Sequence, residues 1–109
     1  MQGLRRAITH EKAFQQEFVL YLLLLIPLYY IPVSAAFKGL LFLSNTVVLI
    51  VELLNSAIEA TVDLVTPEYH ELAGGAKDYG SAAAFLSQVA TVALWGWAIV
   101  QVYLKHISS

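Results

Sequence analysis

Three long stretches without a single charge run through this 109-residue chain and leave few folds open to it. Residues 18–37 give twenty such positions, interrupted only by Pro27 and Pro32, and residues 81–104 give twenty-four. Residues 39–51 give thirteen before Glu52 breaks the run, after which helical patterning continues to Val65. A helix rises about 1.5 Å per residue, so about 20 residues cross the hydrocarbon core of a bilayer. The first and third stretches qualify directly. The second qualifies only by accepting Glu52 inside the membrane. With 59% of residues hydrophobic and 13% charged, a chain of this size cannot cover a water-facing surface. The reading is an all-α membrane protein with a single membrane domain over residues 1–109. It has an amino-terminal amphipathic surface helix at 3–17, spans at 18–33, 36–65 and 81–105, and a loop at 66–80.

Several function classes drop out. There are no cysteines for a disulfide framework or a thiolate metal site. A net charge of −2 without a basic stripe gives no case for nucleic acid. The charged residues Arg5, Arg6, Glu11, Lys12 and Glu17 precede the first apolar run, so no cleavable signal peptide is expected. Ser34 is the expected cap of span two, and Thr66-Pro67-Glu68 reads as the start of a short helix that Gly74-Gly75 ends. Arg5, Arg6, Lys12 and Lys77 on one side outweigh Lys38 and Lys105 on the other, which favours a cytoplasmic amino terminus and a cytoplasmic 66–80 loop.

On a wheel of about 100° per residue, Asn45, Glu52, Asn55, Ser56, Glu59 and Asp63 fall in one wedge roughly 100° wide. Ile50, Leu54, Ala57, Thr61 and Leu64 occupy the opposite side. A carboxylate near the middle of a spanning helix costs on the order of 3 kcal/mol even on the gentler scale. If Lys38 marks the outer interface, Glu52 lies about 21 Å below it and Glu59 about 31 Å, so Glu59 sits at the inner interface. A dissolved phosphate donor can reach Glu59, and a lipid hydroxyl can reach Glu52. Glu11 repeats the anomaly, falling in the middle of the apolar face made by Leu4, Ala7, Ile8, Phe14 and Phe18. A surface helix has no reason to bury an acid there, whereas a metal shared with another helix would supply one.

Each feature also has a plainer reading. The acid stripe could glue helices together through hydrogen bonds. Lys77-Asp78 could be a solvated ion pair, and His70 a solvated interface residue. Trp95, Trp97 and Tyr103 read as an aromatic belt. In combination, however, the residues suit phosphoryl transfer. Glu11 and Glu59 are hard oxygen donors for Mg2+, Lys77 is a cation for phosphates, and Glu52 is a base within reach of Asn55. Neither soluble nucleotide cradle, the P-loop or the kinase glycine loop, occurs. Spacing alone stops at an intramembrane acid site, with or without a metal.

Three segments carry a more specific likeness. Val51-Glu52-Leu53-Leu54-Asn55-Ser56-Ala57-Ile58-Glu59-Ala60, then Glu68-Tyr69-His70-Glu71-Leu72, then Ala76-Lys77-Asp78-Tyr79-Gly80-Ser81-Ala82-Ala83 resemble the prokaryotic diacylglycerol kinase family. Glu11-Lys12-Ala13-Phe14-Gln15-Gln16-Glu17 matches that family's amino-terminal acidic motif. The resemblance implies a homotrimer of three-span subunits in the inner membrane, with composite sites facing the cytoplasm. It implies transfer of the γ-phosphate of MgATP to diacylglycerol. By motif match Glu52 is the general base and also meets the lipid, Asn55 is needed for activity, and Glu11 and Glu59 bind Mg2+ with ATP. Glu68, Tyr69, His70, Lys77 and Asp78 contact the nucleotide, and Ser81 lies near the lipid.

Two departures accompany the likeness. Family members usually begin with a longer surface helix, and Gly75 stands where the family often has an arginine, so weaker activity is expected. The rival readings are an undecaprenol kinase of the same fold, a small proton- or cation-coupled transporter using Glu52, and a non-catalytic membrane subunit.

Overall fold

The computed structural model describes residues 2–66, 68 and 70–108, and it is all-helical: α1 Gln2–His10, α2 Lys12–Tyr30, α3 Ala35–Val65 and α4 Glu71–Ser108. The last three are long and apolar enough to cross a membrane. The molecule is correspondingly elongated, 61 Å along its longest axis, close to the ~57 Å that 38 helical residues cover. Helix α3 is central, packing chiefly against α4 and then against α2.

The amino-terminal helix is divided where one continuous helix over 3–17 was expected. Thr9 Oγ1 donates to the Arg5 carbonyl at 2.8 Å, and the His10 ring lies 2.7 Å from the same hydroxyl. Such local side-chain bonds compete with helix continuation. Glu11 is extended, and α2 starts at Lys12. The backbone bonds Glu11 N to Ala7 O (3.0 Å) and Gln15 N to Glu11 O (2.9 Å) still bridge the break. The apolar face therefore keeps its phase across it, burying Ala7 and Phe14. Residues 12–17 belong to the same helix as the first span.

Pro32, whose ring cannot continue a helix, follows the end of α2, and Ser34 Oγ accepts from Phe37 N at 3.1 Å to cap α3. Just inside this turn Leu28, Leu41 and Ala98 form a small apolar core, flanked by Ile31, Phe37, Leu94 and Trp95. A run of rings, Phe14, Phe18, Tyr21 and Phe42, joins α2 to α3 with centroids 5.9 to 6.5 Å apart.

The segment between α3 and α4 differs most from expectation. Thr66 closes α3 instead of opening a new helix, and its hydroxyl donates to the Glu68 carbonyl at 3.0 Å. Pro67 lies outside the described residues. Gly74-Gly75 ends nothing: α4 begins at Glu71 and continues through both glycines into the third span. His70 starts it, its Nδ1 accepting from Leu72 N at 3.1 Å and its carbonyl from Gly74 N at 2.8 Å. No described glycine has a positive φ, so neither leaves the helical basin.

Candidate active site

The polar wedge of α3 faces inward, and the opposite side faces out. Asn45 is 5% exposed and Glu52 6%, whereas Leu54 is 59% and Leu64 84% exposed. In lipid this is the arrangement that hides polar groups from hydrocarbon. Along the wedge, burial falls toward the carboxyl end of α3: Asn55 is half-buried, and Glu59 and Asp63 are exposed.

Deepest in the interface lie two polar contacts between α3 and α4. Thr91 Oγ1 donates to the Ser87 carbonyl at 2.8 Å, so the Ser44 hydroxyl is left to donate to Thr91 at 2.6 Å. Trp95 Nε1 donates to Asn45 Oδ1 at 2.9 Å. Trp95 is thus half-buried between helices and not part of an aromatic belt, while Trp97 and Tyr103 are exposed. On the α2 side, Thr46 donates to the Phe42 carbonyl (2.9 Å) and accepts from Tyr21 Oη (3.0 Å).

Glu52 comes next. Gln88 Nε2 of α4 donates to Glu52 Oε1 at 3.2 Å and to Glu17 Oε1 of α2 at 3.2 Å. Three helices therefore meet at one carboxamide and two carboxylates, with Glu59 a further anionic neighbour of Glu52. Neither Gln88 nor Glu17 was assigned a role from the sequence. Gln88 did carry a signal: with Ala84, Thr91, Trp95 and Ala98 it recurs at helical spacing on the packed face of α4.

One turn further along α3, Asn55 Nδ2 donates to Glu59 Oε1 at 3.5 Å. Asn55 Oδ1 is buried and has no donor among the described residues. It lies so close to Gly80 of α4 that a β-carbon at that position would collide with it. Glycine here is a matter of clearance. At the carboxyl end of α3 Lys77 Nζ binds Asp63 Oδ1 at 2.6 Å, with Asp63 exposed and Lys77 half-buried. The lysine's partner is therefore Asp63 of α3 and not its neighbour Asp78, which is exposed, as is Ser81.

The remaining sequence candidates are more scattered. Glu11 is half-buried in the break between α1 and α2, and Glu68 and His70 are exposed between α3 and α4. Tyr69 lies outside the described residues. Among the described residues of one chain no three acids or histidines converge on a metal position. Mg2+ commonly takes only one or two carboxylates and draws its other oxygens from phosphates and water. An exposed Glu59 with one oxygen steadied by Asn55 fits that donor set.

A cleft of about 600 Å³ opens between α2, α3 and α4. Leu20, Leu24, Val48, Val92 and Ile99 line it, and Glu17 and Gln88 stand at its polar margin. It is a largely apolar space that reaches Glu17 and Gln88, and through Gln88 it lies one hydrogen bond from Glu52.

With this geometry in view, the model of the prokaryotic diacylglycerol kinase family matches residues 1–99. The chain belongs to that family. It is 48% identical over 94 residues to the diacylglycerol kinase of Escherichia coli (strain K12), covering 86% of this chain and 77% of that protein. It is 40% identical over 97 residues to that of Haemophilus influenzae, covering 88% and 81%. The Helicobacter pylori (strain ATCC 700392 / 26695) enzyme is 37% identical over 103 residues, covering 94% and 80%. Family membership and three apolar helices together make this a multi-pass membrane enzyme, a kinase acting on lipid.

Proposed function

We propose that the chain transfers the γ-phosphoryl group of ATP to the free hydroxyl of diacylglycerol, giving phosphatidic acid and ADP at the cytoplasmic face of the inner membrane. The observation that carries this reading is the buried Glu52, bound by Gln88, whose carboxamide also binds Glu17 and lines an apolar cleft with it. An acid at that depth meets a lipid hydroxyl while its helix continues to the exposed Glu59 at the aqueous side.

The lipid enters with an acyl chain along the cleft and its hydroxyl at Glu52 and Ser81. Glu52 accepts the hydroxyl proton, and the oxygen attacks the γ-phosphorus as the bond to the bridging β–γ oxygen breaks. ADP leaves, and Glu52 later returns the proton to solvent. Glu11 and Glu59 would hold Mg2+, which would supply positive charge to neutralise the phosphates. Asn55 steadies Glu59. Glu68, Tyr69, His70, Lys77 and Asp78 engage the nucleotide, with Lys77 exchanging Asp63 for phosphate oxygen. The resemblance implies that the site is completed in a homotrimer, with neighbouring subunits sharing acids such as Glu11, which lies on another element from Glu59.

The test is label transfer from γ-labelled ATP, in mixed micelles with Mg2+, to diacylglycerol, undecaprenol and ceramide. Diacylglycerol is the expected acceptor; preferential labelling of undecaprenol overturns the lipid assignment, and no transfer overturns the kinase reading. Glu52→Gln should lower kcat about a thousandfold without unfolding the protein. Activity near wild type in that variant removes the base.

A further inference from the structure

Gln88 has no part in the chemistry just described, yet it is the group that binds the base. Its single NH2 carries two protons, and each is directed at a different carboxylate: Glu52 of α3 and Glu17 of α2, both at 3.2 Å. Each bond uses Oε1 of its acid. Glu52 Oε2 is thereby left for a substrate hydroxyl. Gln88 shares the packed face of α4 with Ala84, Thr91 and Ala98, all buried, so its own backbone position is fixed. Without a donor between them, two acids facing each other from adjacent helices repel and swing apart.

We propose that Gln88 is a positioning residue that holds Glu52 in the orientation from which it takes the lipid proton, by bridging it to Glu17. This rests on the reading of Glu52 as general base. A displacement of about 1 Å in a reacting group lowers turnover on the order of a hundredfold. The carboxamide touches neither nucleotide nor reacting atoms in this account, so its loss acts on kcat and leaves nucleotide affinity alone.

The test substitutes Gln88→Leu, which keeps helix propensity and removes both hydrogen bonds. Per folded molecule, kcat for diacylglycerol should fall roughly ten- to a hundredfold, with KM for MgATP within about twofold of wild type. A second measurement needs no activity. Dicyclohexylcarbodiimide, an apolar reagent that caps carboxyl groups within bilayers, should label Glu52 at least about threefold faster in Gln88→Leu, once its donor is gone. Labelling of the exposed Glu59, read by peptide mass, should be unchanged. Either kcat per folded molecule within about threefold of wild type, or unchanged labelling of Glu52, overturns the proposal. If the wild-type chain transfers label to no lipid, the kinase reading fails by itself, and the labelling arm still decides whether Gln88 holds Glu52.

Discussion

The two ends of α3 are held to their neighbours in different ways. Near its amino terminus Leu41 is fully buried against Leu28 and Ala98, and a serine cap and a proline-ended turn fix the entry of the chain. Toward its carboxyl terminus the contacts become polar: Glu52 with Gln88, Asn55 with Glu59 and Gly80, Asp63 with Lys77. Exposure grows along the same direction. Lipid tails are as apolar as leucine, so helix association in a membrane depends on close packing and on hydrogen bonds. The amino-terminal end combines packing with hydrogen bonds that have no part in the proposed chemistry, Ser44 with Thr91 and Trp95 with Asn45, and can be rigid. The carboxyl-terminal end uses hydrogen bonds between groups to which the proposed function assigns the chemistry, and on that proposal it must open to nucleotide and lipid.

The sharpest way to break this division is at Gly80, where packing intrudes on the polar end. Gly80→Ala puts a methyl group against Asn55 Oδ1, and since both belong to long helices the clash is relieved by moving Asn55. Asn55 then releases Glu59. We expect kcat to fall roughly a hundredfold, with unfolding in mixed micelles showing a loss of about 1–3 kcal/mol. Full activity would mean that the Asn55–Glu59 contact is incidental.

The same contrast explains what could be read in the sequence. The inward wedge of α3 was legible because a period of 3.6 residues fixes which side chains share a face, whatever surrounds the helix. Glu52, Asn55 and Asn45 stand where that geometry puts them. The continuity of α4 through Gly74 and Gly75 was not legible: two glycines disfavour a helix by about 1 kcal/mol each relative to alanine, whereas the His70 side chain that caps the start of α4 is no standard capping residue. The break at Glu11 depends on a local competition at Thr9 and His10 that no apolar pattern encodes. Gln88 escaped notice because it is uncharged within an uncharged run. Trp95 was misplaced for a related reason, since a tryptophan near a helix end reads as an interfacial anchor until its indole N–H is seen to reach Asn45.

At the other end the expected effect is on stability alone. Leu41→Ala removes the centre of the small apolar core, whose neighbours are held by the turn and cannot collapse fully. About 2 kcal/mol should be lost, the low end of the range for such truncations, because no transfer from water is involved. Per folded molecule, kcat should stay within about twofold of wild type. A large change in kcat at full folding would show that the amino-terminal core transmits to the site, and the division between the two ends would not hold.

The smallest effect, and the one that most sharpens the account of the carboxyl-terminal end, concerns Lys77 and Asp63. The pair is solvent-accessible, Asp63 exposed and Lys77 half-exposed, so it contributes little to stability, and neither Lys77→Met nor Asp63→Asn should shift the unfolding midpoint measurably. If Lys77 serves the nucleotide, the ion pair is a resting contact that phosphate must displace. Lys77→Met should then raise KM for MgATP about tenfold, the worth of one charge-assisted bond, while leaving the KM for lipid unchanged. Asp63→Asn should act in the opposite direction, lowering KM for MgATP about twofold because the ammonium no longer has to leave a carboxylate. A purely structural ion pair predicts the same response from both substitutions. Opposite signs at the two partners would identify Asp63 as the group that occupies Lys77 until nucleotide arrives.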